Sequence, residues 1–199
     1  MANVAISGDT SGAVTLTVPA VAGTNTITFP AGTGNVSVQG VSTNIVSGTS
    51  QASTSGTSIE FTSIPSWVKR VTVMFNGVSL SGTASFLIQI GSGSITSSGY
   101  NSCSAGCINA ASPAVSTSTA GYLIIGDTAS DVRSGHMVIT LLGSNTYVSS
   151  HTLGGDSTRD VCWWGGGSVT LGGTLDRVRI TTSNGTDTFD AGSINILYE

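Results

Sequence analysis

The stretch Thr57–Leu80, TSIEFTSIPSWVKRVTVMFNGVSL, reads as two β-strands and the corner between them. From Lys69 to Phe75 the residues Val71, Val73 and Phe75 alternate with Arg70, Thr72 and Met74, the period of a strand whose two sides face different surroundings. Before it, Ile59 and Phe61 alternate with Ser58 and Glu60, the pattern of a half-buried edge. Between the two, Ile64-Pro65-Ser66-Trp67 turns the chain: Pro65 fixes its own φ and has no N–H to give a ladder. Trp67 is large enough to cover an open end of a two-sheet core. Asn76-Gly77 predicts a turn after the second strand, since both residues tolerate positive φ.

Working outward, strands recur at short intervals. They are expected at Ala84–Ile90, Gly121–Ile125, His136–Leu142, Thr146–His151, Val161–Trp164, within Ser168–Thr182, and at Ser193–Tyr198. Gly-rich turns separate most of them, and no window has helical periodicity. The pattern predicts an all-β protein, a jelly-roll-like β-sandwich over residues 58–199. A last strand pairing with the first would account for the strong patterns at both ends. Ser92–Ala120, with Tyr100, Cys103 and Cys107, reads as an irregular insert.

Residues 1–40 differ in character. From Met1 to Ile59 the only charged side chain is Asp9. Thr15-Leu16-Thr17-Val18-Pro19-Ala20 is echoed by Thr26-Ile27-Thr28-Phe29-Pro30-Ala31, two short strands each ended by proline, with Gly23-Thr24-Asn25 as the turn between them. Leu16 and Val18, then Ile27 and Phe29, form apolar sides that a lone hairpin cannot bury. Either the C-terminal domain covers them or neighbouring copies do. The uncharged composition favours the copies, so these four are the expected oligomerisation and anchoring residues. Residues 41–57, rich in Ser, Thr and Gly, read as a linker.

Composition excludes several classes of function. Charged residues are 8% of the chain, about a third of the usual share. A net charge of −4 with six Lys and Arg argues against nucleic-acid binding. No apolar run suits a membrane span, and MANVAISGDT has no basic and apolar leader, so a chain made in the cytosol is expected. The three cysteines leave one over in any pairing. Cys103 and Cys107 could close a small loop disulfide outside a reducing cell. No metal site or cofactor is expected, because neither histidine stands at a ligand spacing.

For a ligand, the segment Tyr147 to Gly167 holds the best materials. Tyr147, His151, Trp163 and Trp164 are the candidate glycan-binding residues, aromatic faces for sugar rings beside polar groups for hydroxyls. The alternative puts Trp163 and Trp164 on opposite faces of one strand, one in the core and one at a subunit contact. No catalytic residue is assigned: the serines, His136 and His151 lack every local signature of a nucleophile and its base. Asp187 and Asp190 lie where aspartate normally caps turns, not as the spaced carboxylate pair of a glycosidase. Arg177 and Arg179 share one side of a strand, with Glu60, Glu199 and the aspartates as available partners.

Two segments carry a family resemblance. SIEFTSIPSWVKRVTVMFNGVSLSG (58–82) and LDRVRITTSNGTDTFDAGSINILYE (175–199) closely resemble the terminal domain of many bacteriophage tail-fibre and virion structural proteins. The resemblance spans most of Ser58–Glu199 and is looser from Gly99 to Ala120. GDTSGAVTLTVPAVAGTNTITFPAGTG (8–34) is similar to a short module of phage structural proteins. It implies a virion component assembled in the host cytoplasm: a homo-oligomer, by resemblance a trimer, of fibre or spike type. The N-terminal segment would join other virion proteins, and the sandwich would meet host surface glycans. The alternative is a capsid decoration protein, since no long shaft separates Gly40 from Ser58.

Overall fold

The computed structural model describes residues 3–7, 13–17, 45–108, 114–126, 128–129, 131–155 and 160–199. It divides into two compact units, Met1–Ser42 and Thr43–Glu199. In the first, β1 (Asn3–Ser7) pairs antiparallel with β2 (Ala13–Thr17), placing Val4 opposite Leu16. Strand β2 contains the Thr15-Leu16-Thr17 half of the first proline-ended motif, but its partner is the strand before it, which the sequence reading did not identify. Val18, Ile27 and Phe29 lie outside the described residues.

The second unit is a β-sandwich of two antiparallel sheets. The larger sheet is built from β3 (Val46–Ser47), β4 (Gln51–Ala52), β6 (Arg70–Leu80), β9 (Asn101–Ile108), β10 (Ala114–Ser118), β12 (Arg133–Gly143), β13 (Thr146–Gly154), β14 (Val161–Thr170) and β16 (Phe189–Tyr198). Across it the order is β10-β9-β14-β13-β12-β6-β16-β3, with β4 also on β16. The smaller sheet has β5 (Ser58–Phe61), β7 (Phe86–Ser92), β8 (Ser94–Ile95), β11 (Tyr122–Ile124) and β15 (Arg177–Thr182), ordered β11-β7-β15-β5 with β8 on β7.

The opening stretch spans both sheets. Ile59 and Phe61 of β5 point into the core from the smaller sheet, and Val71, Val73 and Phe75 of β6 from the larger. The corner between them is tied down where Val68 N donates to Pro65 O (3.1 Å) and Ile64 N to Asp176 O (3.0 Å). Phe75 meets Phe86 of the facing sheet edge-on at 6.1 Å, and Phe86 meets Phe189 at 6.0 Å. The last strand pairs not with the first strand of this stretch, β5, whose partner is β15, but with the second, β6: Ile194 lies opposite Phe75, Ile196 opposite Val73 and Tyr198 opposite Val71.

Four local expectations are corrected. Asn76-Gly77 does not turn the chain; β6 runs through it to Leu80 with a bulge. Gly77 has φ +65°, and Gly192 on the neighbouring strand has φ +87° beside it, so the positive φ that suggested a turn serves two facing bulges instead. Trp67 does not seal the core: it is 46% exposed, with its ring 5.9 Å from that of Tyr198. The insert Ser92–Ala120 contains β8 and the antiparallel pair β9–β10, and its Tyr100 is core. The Tyr100 hydroxyl accepts from Ile90 N (2.8 Å), and burial pushes its pKa up to about 12. Small residues hid these strands because they lack the β-branched signature. Finally, part of the stretch read as a linker is sheet: β3 and β4 extend the edge beyond β16, and Ser53 is buried with its hydroxyl donating to Ala191 O (2.8 Å).

The core also holds a cation. Arg133, almost fully buried, places its guanidinium 4.4 Å from the Trp163 ring and 4.9 Å from that of Phe86. It donates to the backbone oxygens of Asp131 (3.3 Å) and Ile125 (3.4 Å), and the Asp131 carboxylate lies 3.8 Å away. The guanidinium thus stacks between aromatic side chains of both sheets.

Candidate functional site

Strands β13 and β14 place the four aromatic and histidine candidates by simple alternation. Tyr147, His151 and Leu153 point inward from β13; Trp163 points inward from β14 and Trp164 outward. Trp163 is 1% exposed and Trp164 41%. The structure therefore does not bring the four together on one surface. Trp164 stands outside with Thr152 directly opposite it, and His136 opposite Thr152 on the next strand.

The three inward candidates have structural partners. Leu175 N donates to the Tyr147 hydroxyl (3.3 Å), and the Tyr122 hydroxyl donates to Tyr147 O (3.0 Å). His151 Nε2 lies 3.1 Å from Ser104 Oγ, and burial lowers its pKa to about 4, so the imidazole is neutral at neutral pH. Ser104 Oγ in turn accepts from Ile125 N (3.2 Å). The serine–histidine contact is one element of an acyl-transfer site, but both residues are sealed between the sheets. It bridges β13 and β9 of the larger sheet across Gly165 of β14.

Asp187 and Asp190, weighed as a carboxylate pair, make structural bonds instead, Asp187 between loops and Asp190 between β16 and β6. Asp187 Oδ2 accepts from Ala84 N (2.9 Å), and Asn184 Oδ1 accepts from Asp187 N (3.0 Å) and Thr186 N (3.0 Å). Asp190 accepts from the Ser79 hydroxyl. Among the described residues no group of three His, Cys, Asp or Glu stands close enough to hold a metal ion.

Two surfaces remain. The outer face of the larger sheet is broad and almost without charge. Thr72, Met74, His136, Val138, Val148, Ser150, Thr152 and Trp164 project from its middle strands, and Arg70 and Glu199 pair at one margin. Val148 and Trp164 are both exposed there.

The second surface is a cleft of about 430 Å³ at the edge of the sandwich, where β3 and β4 of one sheet lie beside β5 of the other. Thr49, Gln51, Glu60, Thr62, Ile64 and Tyr198 are among its lining residues. Gln51 Nε2 donates to Glu60 O (2.8 Å), fixing one wall to the other. Arg179 approaches the Glu60 carboxylate at 3.9 Å and donates two hydrogen bonds to Gln89 Oε1 (2.9 and 2.6 Å). Tyr198 carries the exposed ring of Trp67 against it. Hydroxyls, a carboxylate and an aromatic pair suit a polar ligand with an apolar face, such as a sugar. Sequence reading missed this site because one wall lay in the presumed linker and Trp67 in the presumed core. The partner of Trp67, the partly buried C-terminal strand residue Tyr198, was visible only once β16 paired with β6.

Comparison with protein-family models, with curated proteins and with solved structures found no match.

Proposed function

We propose that this chain is a non-enzymatic structural component of a bacteriophage virion, a homo-oligomer of fibre or spike type. Its N-terminal unit anchors it to other virion proteins, and its sandwich is displayed to host surface glycans. The observation that carries this reading is the outer face of the larger sheet, almost without charge apart from the Arg70–Glu199 pair at its margin, with Trp164 and Val148 exposed on it. A solvated monomer surface normally mixes charges of both signs, whereas a face that packs against copies does not need them. The resemblance of Ser58–Glu199 to phage terminal domains points the same way, and it is the sole basis for three copies in particular. The cleft at Glu60 and Tyr198, beside Trp67, replaces Tyr147, His151 and Trp163 as the glycan contact.

A capsid decoration role is the second reading. It is favoured by the short spacing between the units: the first ends at Ser42 and β3 already begins at Val46, leaving no length for a reaching shaft. Antibody labelling of purified particles separates the two, with tail labelling expected for a fibre and head labelling for decoration. A glycan array probed with the intact chain and with Trp67→Ala tests the cleft. Binding that Trp67→Ala reduces at least tenfold supports it, and an array without signal removes host recognition from the proposal.

A further inference from the structure

Cysteine spacing alone pointed to Cys103 and Cys107, but both lie on β9 and on the same side of it. Four residues of extended chain separate their Cα atoms by about 13 Å, well beyond disulfide reach. Register supplies a different pair. Cys162 of β14 stands directly opposite Cys107 of β9, whereas Cys103 stands opposite Gly166. All three are thiols on the outer face, with Cys103 and Cys162 exposed and Cys107 partly so.

The rung type is also determined. Gly155 N donates to Val161 O (2.9 Å) and Leu171 N to Asn145 O (2.9 Å), so odd-numbered residues of β14 bond to β13. Even-numbered ones, Cys162 among them, turn their N–H and C=O to β9. Cys107 and Cys162 thus form a hydrogen-bonded pair, with Cα atoms about 5.5 Å apart. That separation is inside the disulfide range of about 4.4–6.8 Å, although the Cβ atoms of such a rung stand wider than a relaxed disulfide prefers.

We propose that Cys107 and Cys162 form a reversible cross-strand disulfide that staples β9 to β14, with Cys103 remaining a thiol. The two thiols lose two protons and two electrons to a low-molecular-weight disulfide, which is reduced to two thiols as the S–S bond forms. Strain from the wide rung makes the bond easily reduced, so it opens in a glutathione-reducing cytosol and closes outside it. The pairing stands on register alone and is independent of the virion reading.

The test uses the full chain treated with oxidised glutathione under native conditions, followed by peptide mapping without reduction. The expected product is an intramolecular Cys107–Cys162 crosslink, still formed in Cys103→Ser and absent from Cys107→Ser and Cys162→Ser. The oxidised chain should melt about 3–6 °C above the reduced one, and millimolar reduced glutathione should reverse both changes. A crosslink through Cys103, crosslinks only between chains, or no crosslink in chains shown folded by circular dichroism would each overturn the proposal.

Discussion

Gly192 shows how much one residue constrains this sheet. Its φ of +87° is one that side-chain-bearing residues rarely adopt, and a Cβ there would lie 2.3 Å from Gly77 O. Backbone cannot rotate away as a flexible side chain can. Gly192→Ala should therefore cost about 2–4 kcal/mol in urea unfolding, whereas Gly154→Ala, with open space around it, should stay within about 0.5 kcal/mol. His151 makes a prediction in pH. Its folded value of about 4 lies below the ordinary 6.5, so as pH falls past 6.5 the unfolded chain takes up a proton that the folded chain refuses. Stability is complete above that pH and falls by about 3 kcal/mol as pH drops towards 4. Asp176, held low by its hydrogen bond with Arg177, and Asp187, held low by Asn184, begin to lose stability only below their ordinary 3.8. Urea unfolding between pH 7 and 4.5 should show the slope, and His151→Gln should flatten it.

Among the elements, β11 depends most on help from outside its own sheet. It is the edge strand of the smaller sheet, and its partner β7 can satisfy one side only. Ser102 and Ser104 of β9 reach across from the larger sheet to accept from Leu123 N (2.9 Å) and Ile125 N (3.2 Å). Ser102→Ala leaves a buried N–H unmatched and should cost about 1–3 kcal/mol. Faster hydrogen exchange at the Leu123 amide should locate the loss. The arrangement also explains why a strand as poor in β-formers as NSCSAGCI exists at all. Its inward serines bond the facing sheet, and its ladders to β10 and β14 bond both its edges.

At the scale of the whole molecule, the division at Ser42 and Thr43 sets what can be removed. A chain beginning at Thr43 should unfold cooperatively with a midpoint close to that of the full chain. One beginning at Gly56 loses β3, β4 and the Ser53 bonds to β16, and should melt several degrees lower with a tendency to aggregate through the bared edge. Light scattering distinguishes the roles of the units under the proposed assembly: the full chain should be oligomeric, and a monodisperse monomer would end the symmetric-anchoring proposal.

Alternation along Val71–Phe75, Ile59–Phe61 and Ile194–Tyr198 determined the all-β class and which side chains enter the core, because a two-residue period is local to each strand. The inward direction of Val178 and Ile180, and the outward pair Arg177 and Arg179, were equally legible there. What tertiary structure alone decided were the pairings between segments distant in sequence. These include Cys162 against Cys107, β3 and β4 on β16, the serines of β9 beneath β11, and Trp67 laid outside on Tyr198. The physical reason is that composition records what a residue can bury or bond, while its actual neighbour is chosen by register and by the sheet that happens to face it.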